Sequence, residues 1–97
     1  MRILWTDEAE RTYRNNIEYL IEEWDSSVIA DFIHETELVL KLLSSQPHMG
    51  RYDNFFGCNR ILVVKQISLL YDIDDDNDCI ILKSFWDNRQ KPIRRLF

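Results

Sequence analysis

The apolar residues change period once, near Gly50, and that change divides the chain into two kinds of structure. Before it they recur at helical spacing. Ala9, Tyr13, Ile17, Leu20, Ile21 and Trp24 form one stripe, with Glu10, Arg14, Glu18 and Glu22 outside it. Steps of three and four residues place such a stripe on one face of an α-helix. Thr6 precedes it as an N-cap, and Asp7 and Glu8 suit the positive end of the helix dipole. Asp25-Ser26-Ser27 breaks the pattern and supplies a second cap. A second stripe, Ile29, Phe32, Ile33, Thr36, Leu40 and Leu43, stops near Ser44-Ser45-Gln46-Pro47, because proline cannot continue a helix. So short a break between helices predicts an antiparallel αα-hairpin.

After Gly50 the pattern is strand-like. Arg60-Ile61-Leu62-Val63-Val64 is apolar and β-branched, and residues 67–73 and 79–86 form two further runs. Asp74-Asp75-Asp76-Asn77-Asp78 reads as a turn, since Asp and Asn satisfy backbone groups locally and tolerate positive φ. Short loops between these runs predict an antiparallel meander. Residues 2–5 add a short strand at the start. The expected order is β-α-α-β-β-β, a helical hairpin packed on one face of an antiparallel sheet, in the α+β class.

The chain has 97 residues, which predicts one domain over residues 1–97. The hydrophobic share of 45% excludes a disordered chain. No apolar run approaches the ~20 residues of a membrane span, and acidic residues follow the N-terminus where a signal peptide would be apolar. The expectation is a cytoplasmic protein with no membrane association. Cys58 and Cys79 form no CxxC pair, and His34 and His48 lack zinc spacing, so two reduced cysteines, no metal and no cofactor are expected. Asp72, Asp74 and Asp76 fall at the first, third and fifth positions of a calcium loop, but Lys83 stands where its bidentate Glu belongs.

The net charge of −5 argues against a generic nucleic-acid binder. Its distribution narrows that exclusion. Residues 1–50 hold four basic and ten acidic side chains, whereas residues 83–97 hold five basic and one acidic. The acidity belongs to the helices and the positive charge gathers at the C-terminal end.

An ordered set of residues resembles one family. Leu4-Trp5-Thr6 with Ala9, then Ile17, Tyr19-Leu20 and Trp24, look like its opening strand and first helix. Pro47 and Gly50 look like its punctuation, Gly57-Cys58-Asn59-Arg60 like its Gly-x-x-Arg, and Ser68-Leu69-Leu70-Tyr71 like its central strand. Ile81-Leu82, Phe85-Trp86-Asp87-Asn88-Arg89-Gln90 and Pro92 look like its last strand and "RQxP" tail. The set is similar to the RelE/ParE superfamily of toxins from type II toxin–antitoxin pairs, and to its ParE-like members in particular. The resemblance covers nearly the whole chain and implies a cytoplasmic toxin silenced by a cognate antitoxin, which folds onto an apolar groove beside the helical hairpin. RelE-like members cut messenger RNA on the ribosome, and ParE-like members act on DNA gyrase. One fold carries both, so the residues have to decide.

A ribonuclease acting through the 2′-hydroxyl needs a base, cations around the phosphate and an acid. RelE-like enzymes supply clustered Lys and Arg on the sheet and a Tyr or His near the C-terminus. Residues 83–97 contain neither Tyr nor His, and the sheet offers only Arg60, Lys65 and Lys83. The set is incomplete. A protein-docking toxin needs no such set, and the C-terminal Arg and Trp content matches what binding hot spots favour. Arg60, Lys65, Tyr71, Trp86, Arg89, Arg94 and Arg95 are therefore the candidates for the toxic surface. Several have a competing structural reading. In it, Trp86 closes the core, Arg89 pairs with a helix carboxylate, Arg60 bridges to a helix carboxylate such as Glu35, and Lys65 is simply solvated at a turn. A toxin that has decayed to an antitoxin-binding module is the third expectation.

Overall fold

The computed structural model describes residues 1–89. Strand β1 (Arg2–Trp5) leads into helix α1 (Asp7–Glu23), and helix α2 (Ser26–Ser45) follows after two residues. A single 3-10 turn, Pro47–Met49, then leads to β2 (Arg51–Asp53), β3 (Cys58–Val64), β4 (Ile67–Asp74) and β5 (Cys79–Asp87). Both sequence-assigned caps are made. The Thr6 hydroxyl accepts from the Ala9 amide at 3.0 Å and donates to the Leu82 carbonyl at 2.7 Å. Asp25 accepts from the Ser27 and Val28 amides.

The sheet order is β1-β5-β4-β3-β2. β2 to β5 run antiparallel, as the meander requires. β1 differs from expectation. It lies parallel to β5, with Arg2 opposite Cys79 and Trp5 opposite Leu82, so the sheet is mixed. The helical hairpin acts as the crossover that returns the chain to the far edge, and such a crossover permits parallel pairing. The three-residue β2 is also additional. It is too short to show a period, and its pairing with β3 makes it a strand.

The core lies between the helices and one sheet face. Phe32, Leu20, Leu43, Ile67, Leu69, Tyr71, Ile80 and Leu82 are fully buried there. Trp5, Tyr13, Phe32 and Phe85 form an aromatic cluster with ring centroids 5.1–6.0 Å apart. Such offset and edge-on pairs are worth about 0.5–1.5 kcal/mol each beyond the area they bury. Three stripe residues assigned to this core are not in it: Ile21 is 61%, Trp24 41% and Ile33 of α2 37% exposed. The last turn of α1 therefore presents apolar surface to solvent.

Two strands each carry one extra residue at a bulge. Val63 stands between Leu62 and Val64 opposite β4, and Lys83 stands between Leu82 and Ser84. Cys58 and Cys79 are buried and unbonded. The Asp74 carboxylate binds the Asn77 amide and side chain, so the acidic turn is closed by its own residues. Among the described residues, no group of three or more His, Cys, Asp or Glu is placed to hold a metal ion, and no helix is long and apolar enough to cross a membrane.

Candidate functional site

β5 outruns its neighbour. β1 stops opposite Leu82, and the remaining edge of β5 meets α1 instead. Two helix side chains take the place of a strand there. The Phe85 amide donates to the Thr12 hydroxyl at 2.8 Å, and the Asn16 amide group donates to the Phe85 carbonyl at 3.0 Å. Asn16 also donates to the Thr12 carbonyl, so its buried Nδ2 bridges the helix and the strand. This fixes the end of β5 against the helix. A cleft of about 350 Å³ runs along the junction, lined in part by Arg11, Asn15, Tyr19, Trp86 and Asp87.

Arg89 sits at the end of this junction. Its guanidinium grips Asp87 through Nε at 3.0 Å and a terminal nitrogen at 2.9 Å, and its backbone amide binds the same carboxylate. Its Cζ lies 4.4 Å from the Tyr19 ring centre and 5.9 Å from that of Trp24. A cation over such ring faces is held electrostatically. The Asp87 carboxyl is pushed up by burial, but hydrogen bonds from the Arg89 side chain and amide outweigh this and hold it below its ordinary value. The carboxylate that pairs with Arg89 is thus a β5 residue, not one on the acidic helices, and α1 contributes aromatic rings instead. The Arg89 side chain remains 39% exposed.

Trp86 is half-buried and lies outside the core cluster, so it does not close the core. Its ring contacts Phe56 of the β2–β3 loop at 5.2 Å. Arg60 stands elsewhere, on β3. Its Nε donates to the Ser68 hydroxyl at 3.1 Å, and its two other nitrogens approach Asp53 at 3.4 Å and Asn88 at 3.3 Å. The expected helix partner Glu35 is replaced by a strand neighbour, because β2 places Asp53 beside β3. Asp53 is pushed up by burial and more strongly down by the Phe56 and Phe55 amides and by Arg60, so its carboxyl also stays low.

Tyr71 does not belong to any surface. It is fully buried, and its hydroxyl donates to the Pro47 carbonyl at 2.9 Å and accepts from the Gly50 amide at 3.0 Å. It faces the helices because it alternates with Leu70 along β4, and burial raises its phenol above the ordinary value. Lys65 is exposed at the β3–β4 turn, where its carbonyl accepts from Asn88. Arg94 and Arg95 lie outside the described residues. The candidates therefore form no single cluster. Trp86 and Arg89 share the α1–β5 junction, and Arg60 occupies the sheet near β2.

The model of one family, the ParE toxin of type II toxin–antitoxin systems, matches residues 3–92. The chain belongs to the ParE toxin family. An antitoxin protein is the partner that this membership implies. The fold agrees with a solved toxin from Helicobacter pylori, a copper-bound point mutant. The two are 14% identical, with a TM-score of 0.60 over 92% of this chain and 96% of that one. No curated protein matches the sequence.

In this ParE-family chain, sequence reasoning missed Tyr19 and Asp87 as the holders of Arg89. Asp87 carried a signal, since residues two apart in extended chain share a face. Asn16 carried none, because a polar residue inside an apolar stripe reads as solvent-facing until the bare edge of β5 is known.

Proposed function

We propose that this toxin arrests growth in the cytoplasm by docking on a protein target, DNA gyrase, and that its antitoxin silences it. The carrying observation is the Arg89 corner, a partly exposed guanidinium held over Tyr19 and Trp24. Arginine and large aromatic side chains on rigid elements are the composition of binding hot spots. Two of the three sheet cations that a nuclease would gather are otherwise engaged. Arg60 is shared among Ser68, Asp53 and Asn88, and Lys83 lies 3.5 Å from Asp72. Tyr71 is buried and committed to the backbone.

The chain is to be expressed without its antitoxin and growth followed. Growth arrest with loss of gyrase supercoiling, and without ribosome-dependent mRNA cleavage, is the expected result. Cleavage with supercoiling intact would transfer the assignment to the RelE-like nuclease, and no arrest would leave only an antitoxin-binding module. Arg89→Ala is expected to weaken toxicity at least tenfold. Full toxicity with unchanged stability would remove Arg89 from the site.

A further inference from the structure

Between Asp87 and Arg89, which grip each other at the corner, Asn88 turns its side chain elsewhere. Ser68 alternates with the core residue Leu69 along β4, and Arg60 lies opposite Leu70 on β3. Both side chains therefore leave the sheet face away from the helices. Asn88 reaches this pair. Its Oδ1 accepts from the Ser68 hydroxyl at 2.9 Å and from an Arg60 terminal nitrogen at 3.3 Å. Its Nδ2 donates to the Lys65 carbonyl at 3.1 Å, and its backbone amide donates to the Gln66 carbonyl at 2.8 Å. Bonds from one residue thus tie the end of β5 to β3, to β4 and to the turn between them. The Ser68 hydroxyl is fully buried and also accepts from Arg60 Nε at 3.1 Å. Arg60, Ser68 and Asn88 so close a triangle of hydrogen bonds, with Asp53 at 3.4 Å on the far side of Arg60.

We propose that Asn88 is a positioning residue for Arg89, and that Arg60 serves the docking surface through Asn88 and not by contact with the target. This rests on the docking reading above and deepens it. The pairing of β5 with β4 ends at Asp87, which lies opposite Ile67, the first residue of β4. No strand beyond that pair holds the chain, yet the Arg89 guanidinium has to stay over Tyr19. An arginine on a loose segment loses its freedom only when the target binds, and fixing it beforehand removes that cost from docking. Asp87 orients the guanidinium from within the same segment. Asn88 adds anchors outside it. Its residue type matters, because an amide accepts and donates at once. An aspartate could hold Arg60 and Ser68 but not the Lys65 carbonyl, and a leucine could hold none of them. A bond from a cation and a bond from a buried hydroxyl meet on one oxygen, and such networks are stronger than isolated bonds. Arg60 leaves one face of the sheet and Arg89 meets the helix on the other, with Asn88 as the link between them.

The test reads Arg89 by NMR of the full chain, with no target present. Its side-chain protons are expected to carry the upfield shift of groups held over an aromatic ring, here that of Tyr19. Asn88→Leu keeps the side-chain volume and removes its hydrogen bonds. It is expected to abolish the shift while circular dichroism stays native. Asn88→Asp keeps the acceptors for Arg60 and Ser68 and is expected to retain the shift. Arg60→Gln is expected to reduce it in the wild-type chain and to change nothing further in Asn88→Leu. Ser68→Ala, a smaller change in the same triangle, is expected to reduce it and stands in if Asn88→Leu does not fold. In growth assays Asn88→Leu is expected to weaken toxicity about fivefold, the scale of one net hydrogen bond, and to add nothing to Arg89→Ala. The proposal is overturned if folded Asn88→Leu, or Ser68→Ala in its place, keeps the wild-type shift. It is also overturned if Asn88→Asp loses the shift as fully as Asn88→Leu, or if Asn88→Leu weakens toxicity equally with and without Arg89. A fully toxic Arg89→Ala would defeat the docking reading alone, since the shift still reports whether Asn88 holds Arg89.

Discussion

At the scale of single residues, Asp87 and Tyr71 each do one identifiable job. Asp87 is ionised and bonded to Arg89, and its folded carboxyl lies below its unfolded value of about 3.9. The stability it contributes is therefore present above that value and is lost as the pH falls through the lower folded one. Urea unfolding should show a midpoint that drops below pH 4, and Asp87→Asn should make that drop shallower. An equally steep drop in the variant would show that Asp87 contributes nothing to it. Tyr71→Phe removes the acceptor for the Gly50 amide and the donor to the Pro47 carbonyl. A cost of about 1–3 kcal/mol is expected for leaving such groups unpaired, read as a lower urea midpoint at unchanged slope. The job of Tyr71 was not legible in the sequence. Tyr71 stood in a strand and could face either way, and burial is decided by register, which one chain segment alone does not reveal.

Among the elements, the helices were legible nearly to the residue because their caps and stripes are local. Thr6 and Asp25 sit where side-chain oxygens meet orphan amides, and that chemistry needs no tertiary information. The stripe of α1 failed at Ile21 and Trp24, where it persists into solvent. The parallel pairing of β1 could not be read, since it depends on where the hairpin returns the chain. Gly50 joins two elements in a different way. An added Cβ there would lie 2.5 Å from the Tyr71 hydroxyl oxygen and 2.8 Å from the Arg60 carbonyl oxygen. Gly50→Ala is expected to destabilise the fold by about 1–3 kcal/mol, as overpacking of a filled site does. Thermal unfolding measures this, and a wild-type midpoint would mean the turn can retreat at no cost. Asn16→Leu should leave the helix intact but free the Phe85 carbonyl at the bare edge of β5. Faster hydrogen exchange confined to residues 84–87 is the expected sign, and uniform exchange would show that the edge does not depend on Asn16.

For the molecule as a whole, charge and topology pull in separate directions. The helical layer carries most of the acid, and among the described residues Glu8 with Arg11 is its only ion pair. Screening this self-repulsion with salt should raise the melting temperature. A fall on going from low to high salt would place the balance of charge interactions on the attractive side. The class and the order of elements were open to a sequence reading because period and punctuation are written along the chain. The Arg89 corner was not, because Tyr19, Asp87 and Arg89 meet only after the sheet has formed. The parallel partnership of β1 with β5 also has a consequence for how the protein is made. Arg2 waits for Cys79, seventy-seven positions later in the chain. On a translating ribosome the first strand stays without its neighbour until both helices and β2 to β4 have been synthesised. The Arg89 corner lies beyond that last strand, so a nascent chain cannot assemble it early. Translation itself thus delays the moment at which a new copy completes the corner proposed as its toxic surface.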